Sequence, residues 1–304
     1  MNLHNDIERF KDIIELTGEA MSHIGVAKIE KDYYLTLFLK ELIQVQEGIV
    51  FKGGTSLSKC YKAIDRFSED MDLNFATPTG SPTFYQKQEI VNNVKDVITK
   101  LGLRLNYPER IRDTNEVNQY YIRYQRNFKD IGIKQFVIAE IVVHIESFPT
   151  ETKNISCILY DYLNENGGGS EIERYGLQPF SVKVQTLERT FIDKVYALAD
   201  YAISGKITDH SRHIYDLYKI YPRITFDDNF KLLISEVVKV RKPLKYSHSL
   251  KNGVNLQEVL HNIIHERVFE FDYNNRTARL LYSLVPYSEA IKVISQVIQD
   301  GYFI

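Results

Sequence analysis

Apolar positions recur at three- and four-residue spacing over much of the first fifty residues. The pattern predicts helices over Asn5 to Glu19 and over Asp32 to Gln46, where Leu35, Phe38, Leu39, Leu42 and Ile43 share a side. Gly48-Ile49-Val50-Phe51-Lys52-Gly53-Gly54 then predicts a short apolar strand ending in a glycine pair. Thr55-Ser56 opens a segment, LSKCYKAI, with helical character. From Asp70 the period shortens to two: Asp70, Asp72 and Asn74 alternate with Met71, Leu73 and Phe75, the signature of a half-buried strand.

A turn-rich stretch, TPTGSPT, precedes a predicted helix around Tyr85 to Leu101. Three β-like runs follow, Leu103 to Tyr107, Asn118 to Tyr124 and Gln135 to Phe148. The glycine run NENGGGS at 164–170 is a candidate boundary. Phe180 to Gln185 alternates briefly, and everything after Thr186 is helical in period: Leu187 to Ile203, Asp209 to Tyr221, Asp227 to Val240, Leu256 to Phe271, Thr277 to Leu284 and Ser288 to Ile298. The expected fold is therefore α/β: a mixed sheet flanked by helices over residues 1–185, then a helical domain over 186–304. No repeat of 20 to 50 residues is visible.

Composition narrows the class. The 304 residues are 44% hydrophobic and 26% charged, with 38 Lys and Arg against 40 Asp and Glu, proportions of a globular protein rather than a disordered one. No window approaches 18 uninterrupted apolar residues, so no membrane association is expected, and the charged start MNLHNDIERFKDII is not a signal peptide. Two cysteines, Cys60 and Cys157, fit a reducing cytoplasm and no disulfide framework. The near-neutral balance leaves nucleic-acid binding to local patches. One candidate is KVRKPLKYSHSLK, where Lys239, Arg241, Lys242, Lys245 and Lys251 surround Tyr246 and His248 without a carboxylate; a solvated loop broken by Pro243 is the competing reading.

Asp70 and Asp72, at i and i+2 of a strand, project to one face about 7 Å apart, a spacing suited to divalent cations. Hard oxygen ligands favour Mg²⁺, which usually completes its coordination with substrate phosphates. The Gly53-Gly54-Thr55-Ser56 turn offers backbone N–H groups and room for phosphates to approach. Alone, either feature is more often a solvent rim or a plain turn. Together, in the order strand, GGTS, helix, DxD strand with thirteen intervening residues (57–69), each supplies what the other lacks.

The string FKGGTSLSKCYKAIDRFSEDMDLNF (51–75) closely resembles the opening motif of the AbiEii-type nucleotidyltransferase toxins of type IV toxin-antitoxin systems, within the polymerase β-like nucleotidyltransferase superfamily. The spacer between glycine turn and carboxylates is longer than in the shortest members, so the intervening helix is expected to differ in length. The resemblance implies a minimal nucleotidyltransferase fold. Gly53, Gly54, Thr55, Ser56 and Arg66 would contact substrate, and Asp70 and Asp72 would ligate Mg²⁺. It also implies a third carboxylate on a later strand. Glu140 and Glu146, expected on one strand face with Val142 and His144, are the candidates; Glu140, bracketed by Ala139 and Ile141, is preferred, and a plain edge-strand charge is the alternative.

In LERTFIDKVYALADYAI, Leu187, Phe191, Val195, Leu198 and Ala202 form an apolar stripe, and Lys194 falls in its middle. An inward lysine needs a counter-charge or an anionic ligand. It could snorkel, or pair with a carboxylate such as Asp70 or Asp72; the resemblance implies contact with nucleotide phosphates. In SRHIYDLYKIY, Arg212 and Asp216 are spaced as an exposed i, i+4 ion pair. Only the resemblance gives Asp216 a catalytic role. His261 and His265 lack the HExxH arrangement and a third ligand, and Cys60 lacks a neighbouring histidine.

The resulting expectation is a Mg²⁺-dependent enzyme that transfers NMP from an NTP to RNA, by resemblance the 3′ end of tRNA, and arrests growth. Its implied partner is an antitoxin of the winged-helix regulator type. The same chemistry on a small-molecule or protein hydroxyl, or nucleotide binding without turnover, are the alternatives.

Overall fold

The computed structural model describes residues 1–75, 82–130 and 133–303, so the turn-rich stretch 77–83 lies outside them except for Pro82 and Thr83. The chain divides into two compact units, residues 1–60 with 67–184, and residues 61–66 with 185–304.

The first unit runs α1 (Ile7–Ala20), α2 (Val26–Val45), β1 (Ile49–Lys52), α3 (Gly53–Lys59), β2 (Asp70–Phe75), α4 (Phe84–Lys100), β3 (Arg104–Asn106), β4 (Val117–Arg123), β5 (Phe136–Val142), β6 (Thr150–Ile155), α5 (Ile158–Glu165), α6 (Gly169–Tyr175) and β7 (Phe180–Gln185), whose last residue begins the second unit. The strands form one mixed sheet in the order β3-β4-β5-β2-β1-β7-β6. β2 is central, parallel to β5 and antiparallel to β1.

Alternation decides the faces. Met71, Leu73, Val137, Ala139, Ile141, Tyr120 and Ile122 are buried in one core with Phe38, Leu39 and Leu42 of α2 and Val94 and Val97 of α4. The intervening residues Asp70, Asp72, Phe136, Ile138, Glu140, Gln119 and Tyr121 are half-buried or exposed on the other face. α4 starts where it does because Thr83 and Gln86 form a reciprocal capping box.

Several expectations change. The strand expected over Gln135 to Phe148 ends at Val142 and the chain bends through 143–145, so Glu146 does not share a strand face with Glu140. The glycine run 164–170 lies between α5 and α6 inside the first unit. β6, α5 and α6 carry no period strong enough to be read from the chain. Cys60 and Cys157 are free, and burial pushes the Cys157 thiol up to about 12, which keeps it unreactive.

The second unit comprises α7 (Leu187–Ser204), α8 (Arg212–Ile220), α9 (Asp228–Arg241), α10 (Leu256–His265), α11 (Glu270–Asn275), α12 (Tyr287–Ala290) and α13 (Lys292–Asp300). The helix expected over Leu256 to Phe271 breaks at Glu266, where Arg267 adopts a left-handed conformation with φ 51°. The helix expected over Thr277 to Leu284 is a single 3-10 turn, Thr277–Leu280. No helix among the described residues is long and apolar enough to cross a membrane.

Residues 61–66 explain the long spacer of the motif. α3 stops at Lys59 and the chain threads into the helical unit before returning as β2. There Arg223 donates to the carbonyls of Tyr61 (2.9 Å) and Lys62 (3.2 Å), Tyr61 donates to the Gln185 carbonyl (2.9 Å), and Lys219 pairs with Asp65 (2.6 Å). Arg66 forms an antiparallel bridge with Leu281.

Candidate active site

The glycine turn and the carboxylate strand are fitted to one another. Lys52 and Asp72 are register partners across β1 and β2, so the turn that follows Lys52 meets Asp72 directly. Gly53 has φ +75°, and a Cβ there would lie 1.9 Å from Asp72 Oδ2, so any side chain would both strain the backbone and displace the carboxylate. The Thr55 hydroxyl bonds to Ser68 Oγ (2.9 Å) and to the Asp70 carbonyl, tying the start of α3 to β2. The Ser56 hydroxyl is buried and donates to the Gly53 carbonyl at 2.9 Å. α3 is anchored by Lys59, which pairs with Asp32 (2.6 Å) and donates to the Ser156 carbonyl (3.0 Å).

Asp70 and Asp72 share one face of β2, as the alternation requires, and Glu140 is the register partner of Asp72 on β5. Three carboxylates therefore sit on the same face of two adjacent strands, about 5 Å apart across the pair. Glu140 accepts from Gln119 Nε2 at 2.6 Å, which fixes one of its oxygens. Among the described residues no three Asp, Glu, His or Cys side chains converge as a preformed metal cluster. Two carboxylates with substrate phosphates completing the shell match the ordinary habit of Mg²⁺.

A cation is already in place against this pair. Lys134 Nζ donates to both Asp70 oxygens, at 3.0 and 2.7 Å. Lys134 is held from behind: its backbone N–H donates to Glu69 Oε2 (3.1 Å), and its carbonyl accepts from Lys31 Nζ (3.2 Å), which also pairs with Glu69 (2.8 Å). Lys31 is fully buried, and burial lowers its pKa, partly offset by Glu69. Neither lysine is marked by any period in the chain, and Lys134 reaches Asp70 only because β5 lies beside β2. The pair of carboxylates on one strand face and the side-chain-free Gly53 against Asp72 are a donor set that fits a divalent ion.

The second unit contains a separate buried charge cluster. Asp216 is 0% exposed; Arg66 Nε donates to its Oδ1 (2.6 Å), Arg66 Nη2 to its Oδ2 (2.8 Å) and Lys194 Nζ to Oδ2 (2.7 Å). Asp216 is thus buried rather than exposed as expected, with Arg66 and Lys194 on its oxygens. Lys194, 5% exposed, takes Asp216 as its counter-charge rather than Asp70 or Asp72, the carboxylates its sequence position suggests. Arg66, 2% exposed, is bound bidentately to Asp216. His213 Nδ1 accepts from Lys194 at 3.2 Å, since burial, Lys194 and Arg212 hold the imidazole neutral. Burial alone would raise the Asp216 carboxyl, but Arg66 and Lys194 outweigh it and hold it far below the ordinary carboxylate range.

The basic stretch changes as well. Arg241 is turned inward, bridging Asp193 (3.2 Å) and Asp200 (2.8 Å). Lys251 donates to the carbonyls of Lys242 (3.3 Å) and Leu244 (2.9 Å).

A central strand with two carboxylates, facing a glycine turn that opens a helix, is the arrangement the sequence motif predicts for a nucleotidyltransferase. The family profile described as nucleotidyl transferase AbiEii toxin, type IV TA system, matches residues 38–292, and the chain belongs to that family. It is a nucleotidyltransferase of the toxin-antitoxin class, with a nucleotide substrate and an antitoxin partner, in a family that generally uses a divalent metal. Among solved structures the fold is similar to MenT4, a nucleotidyltransferase toxin from Mycobacterium tuberculosis H37Rv, with TM-score 0.50 and 18% identity over 95% of this chain and 89% of that one. Among curated proteins none matches the chain significantly.

Removing the Asp216 charge strands two buried cations. Asp216→Asn is expected to destabilise the protein by about 3–5 kcal/mol at pH 7, the cost of breaking a buried pair from one side. Because the folded-state pKa is depressed, this stabilisation is present above the unfolded carboxyl value of about 3.9 and is lost as pH falls toward the folded value. Urea titrations should show a constant gap between wild type and variant above about pH 5 that narrows below pH 4; a gap absent at pH 7 would contradict the assignment.

Proposed function

We propose that this toxin transfers an NMP from an NTP to an RNA hydroxyl, with the 3′ end of tRNA as acceptor, at the face of β2 that carries Asp70 and Asp72. The observation that carries the reading is the fit of Gly53 against Asp72, which keeps the turn and the carboxylates within one site. Asp70 and Asp72 hold Mg²⁺, which when bound supplies charge neutralisation for the phosphates. Gly53, Gly54, Thr55 and Ser56 line the approach of the triphosphate; the Ser56 hydroxyl turns from the Gly53 carbonyl to reach it.

Glu140 takes the proton of the attacking hydroxyl. The hydroxyl oxygen then forms a bond to the α-phosphorus, the bond from that phosphorus to the bridging oxygen breaks, and pyrophosphate leaves with the electron pair. Gln119 keeps Glu140 oriented for this step. A nucleotide-phosphate contact by Lys194, a substrate contact by Arg66 and a catalytic need for Asp216 rest on the family, as do a winged-helix regulator as the antitoxin and a cytoplasmic setting. Within the second unit these three side chains are partners of one another.

Incubation with Mg²⁺, total tRNA and each α-labelled NTP in turn is expected to place label in RNA, and Asp70→Ala or Asp72→Ala to abolish it. Label on protein or a small molecule instead would move the acceptor; absence of turnover under all conditions would overturn the reading. Lys134→Met removes the resident competitor for Asp70. The half-saturating Mg²⁺ concentration is expected to fall by about two- to fivefold, the worth of a partly exposed ion pair; a rise would mean that Lys134 assists substrate binding instead.

A further inference from the structure

The sheet face that bears the carboxylates continues away from β2 across β5, β4 and β3, and its chemistry changes as it goes. Antiparallel register sets Phe136 opposite Arg123, Ile138 opposite Tyr121 and Glu140 opposite Gln119. The next strand adds Arg104 opposite Arg123 and Asn106 opposite Tyr121. Three aromatic rings form a ladder along this face: Tyr107 meets Tyr121 edge-on at 5.6 Å, and Tyr121 meets Phe136 edge-on at 6.0 Å. The Arg110 guanidinium lies 4.4 Å from the Tyr107 ring centroid.

Two features of this ladder are unfavourable for the protein by itself. Arg104 and Arg123 are like charges directly opposite on paired strands, both exposed, and among the described residues neither has a carboxylate at ion-pair distance. Tyr107 stands at φ 57° in the left-handed region, which is uncommon for an aromatic residue, and is 41% exposed. The ladder also joins the catalytic face through polar contacts: Tyr121 donates to Gln119 Oε1 (3.2 Å), and Gln119 donates to Glu140. An anionic ligand with flat rings would relieve the arginine repulsion and use the exposed aromatics.

We infer that the β3-β4-β5 face is the acceptor site: the unpaired end of an RNA strand lies across it, its bases stacked on Tyr107, Tyr121 and Phe136 and its phosphates on Arg104, Arg123 and Arg110, with the terminal hydroxyl delivered to Glu140. This rests on the RNA reading above and adds where the acceptor is held and that it must be single-stranded there. An open sheet face with two or three aromatics is a recurrent platform for unstacked bases, whereas a duplex offers no free ring faces. β3 to β2 spans three strand spacings, about 14 Å, room for two or three nucleotides before the carboxylates.

The test uses the full-length protein and a fluorescein-labelled eight-nucleotide RNA of mixed sequence, with a blunt RNA hairpin as competitor. Tyr121→Ala and Phe136→Ala should each weaken binding by about tenfold, the loss expected for one base–ring stack. Tyr121→Phe, which keeps the ring, should bind like wild type and controls for folding. The double variant Arg104→Ala/Arg123→Ala should flatten the slope of log K against log salt by about 1.4, two single-strand phosphates at roughly 0.7 each. In transfer assays the acceptor KM should rise while the NTP KM holds. If wild type labels RNA but these variants keep its affinity and acceptor KM, the acceptor site is elsewhere and only this inference falls. Equal losses for Tyr121→Ala and Tyr121→Phe, or effective competition by the hairpin, would also overturn it. If wild type labels no RNA, the RNA reading itself fails.

Discussion

Two carboxylates on one face of a central strand repel each other, and much of the first unit is arranged around that repulsion. Asp70 and Asp72 cannot be moved apart without shifting β2 in its register with β1 and β5. Instead the surroundings supply positive charge and close contact. Lys134 bonds both oxygens of Asp70, Glu69 and the buried Lys31 hold Lys134 in position, and Gly53 gives up a side chain so that Asp72 can sit against the turn. The proposed function assigns a divalent ion and a triphosphate to this same face.

The helical unit solves a similar problem in the opposite sense. One carboxylate, Asp216, neutralises two cations brought together from distant parts of the chain, Arg66 and Lys194. Arg66 arrives there because the chain leaves α3, threads through the unit over residues 61–66 and returns as β2. One short motif can therefore mix residues with different neighbours: within twenty residues, Gly53 and Asp72 face each other while Arg66 is the partner of Asp216.

The sequence shows the α/β character, the central DxD strand and the helical half because each rests on a local period that burial on one side enforces. The inward Lys194 is visible for the same reason, as a cation in an apolar stripe. Its partner is not, because the side chain of Asp216 is placed by packing between helices and not by spacing. Lys134 is hidden more completely, lying just before β5 in a polar stretch and gaining its meaning from the parallel pairing of β5 with β2. Glu146 shares a strand face with Glu140 if the strand runs to Phe148, and Glu140 is preferred over it in the sequence; the bend after Val142 removes that shared face. The basic stretch at 239–251 offers phosphate-binding chemistry by composition, yet Arg241 answers Asp193 and Asp200, about two helical turns apart on α7.

The proposed activity depends most on a divalent ion binding between the Gly53 turn and β2. Replacing Mg²⁺ with Fe²⁺ and generating hydroxyl radicals at the bound ion cuts the backbone beside it, and mass spectrometry of the fragments locates the cuts. Cleavage confined to the neighbourhood of Gly53–Gly54 and Asp70–Asp72, protected by excess Mg²⁺ and lost in Asp72→Ala, is the predicted result. Cleavage elsewhere in the chain, or cleavage at this position that survives Asp72→Ala, would contradict it.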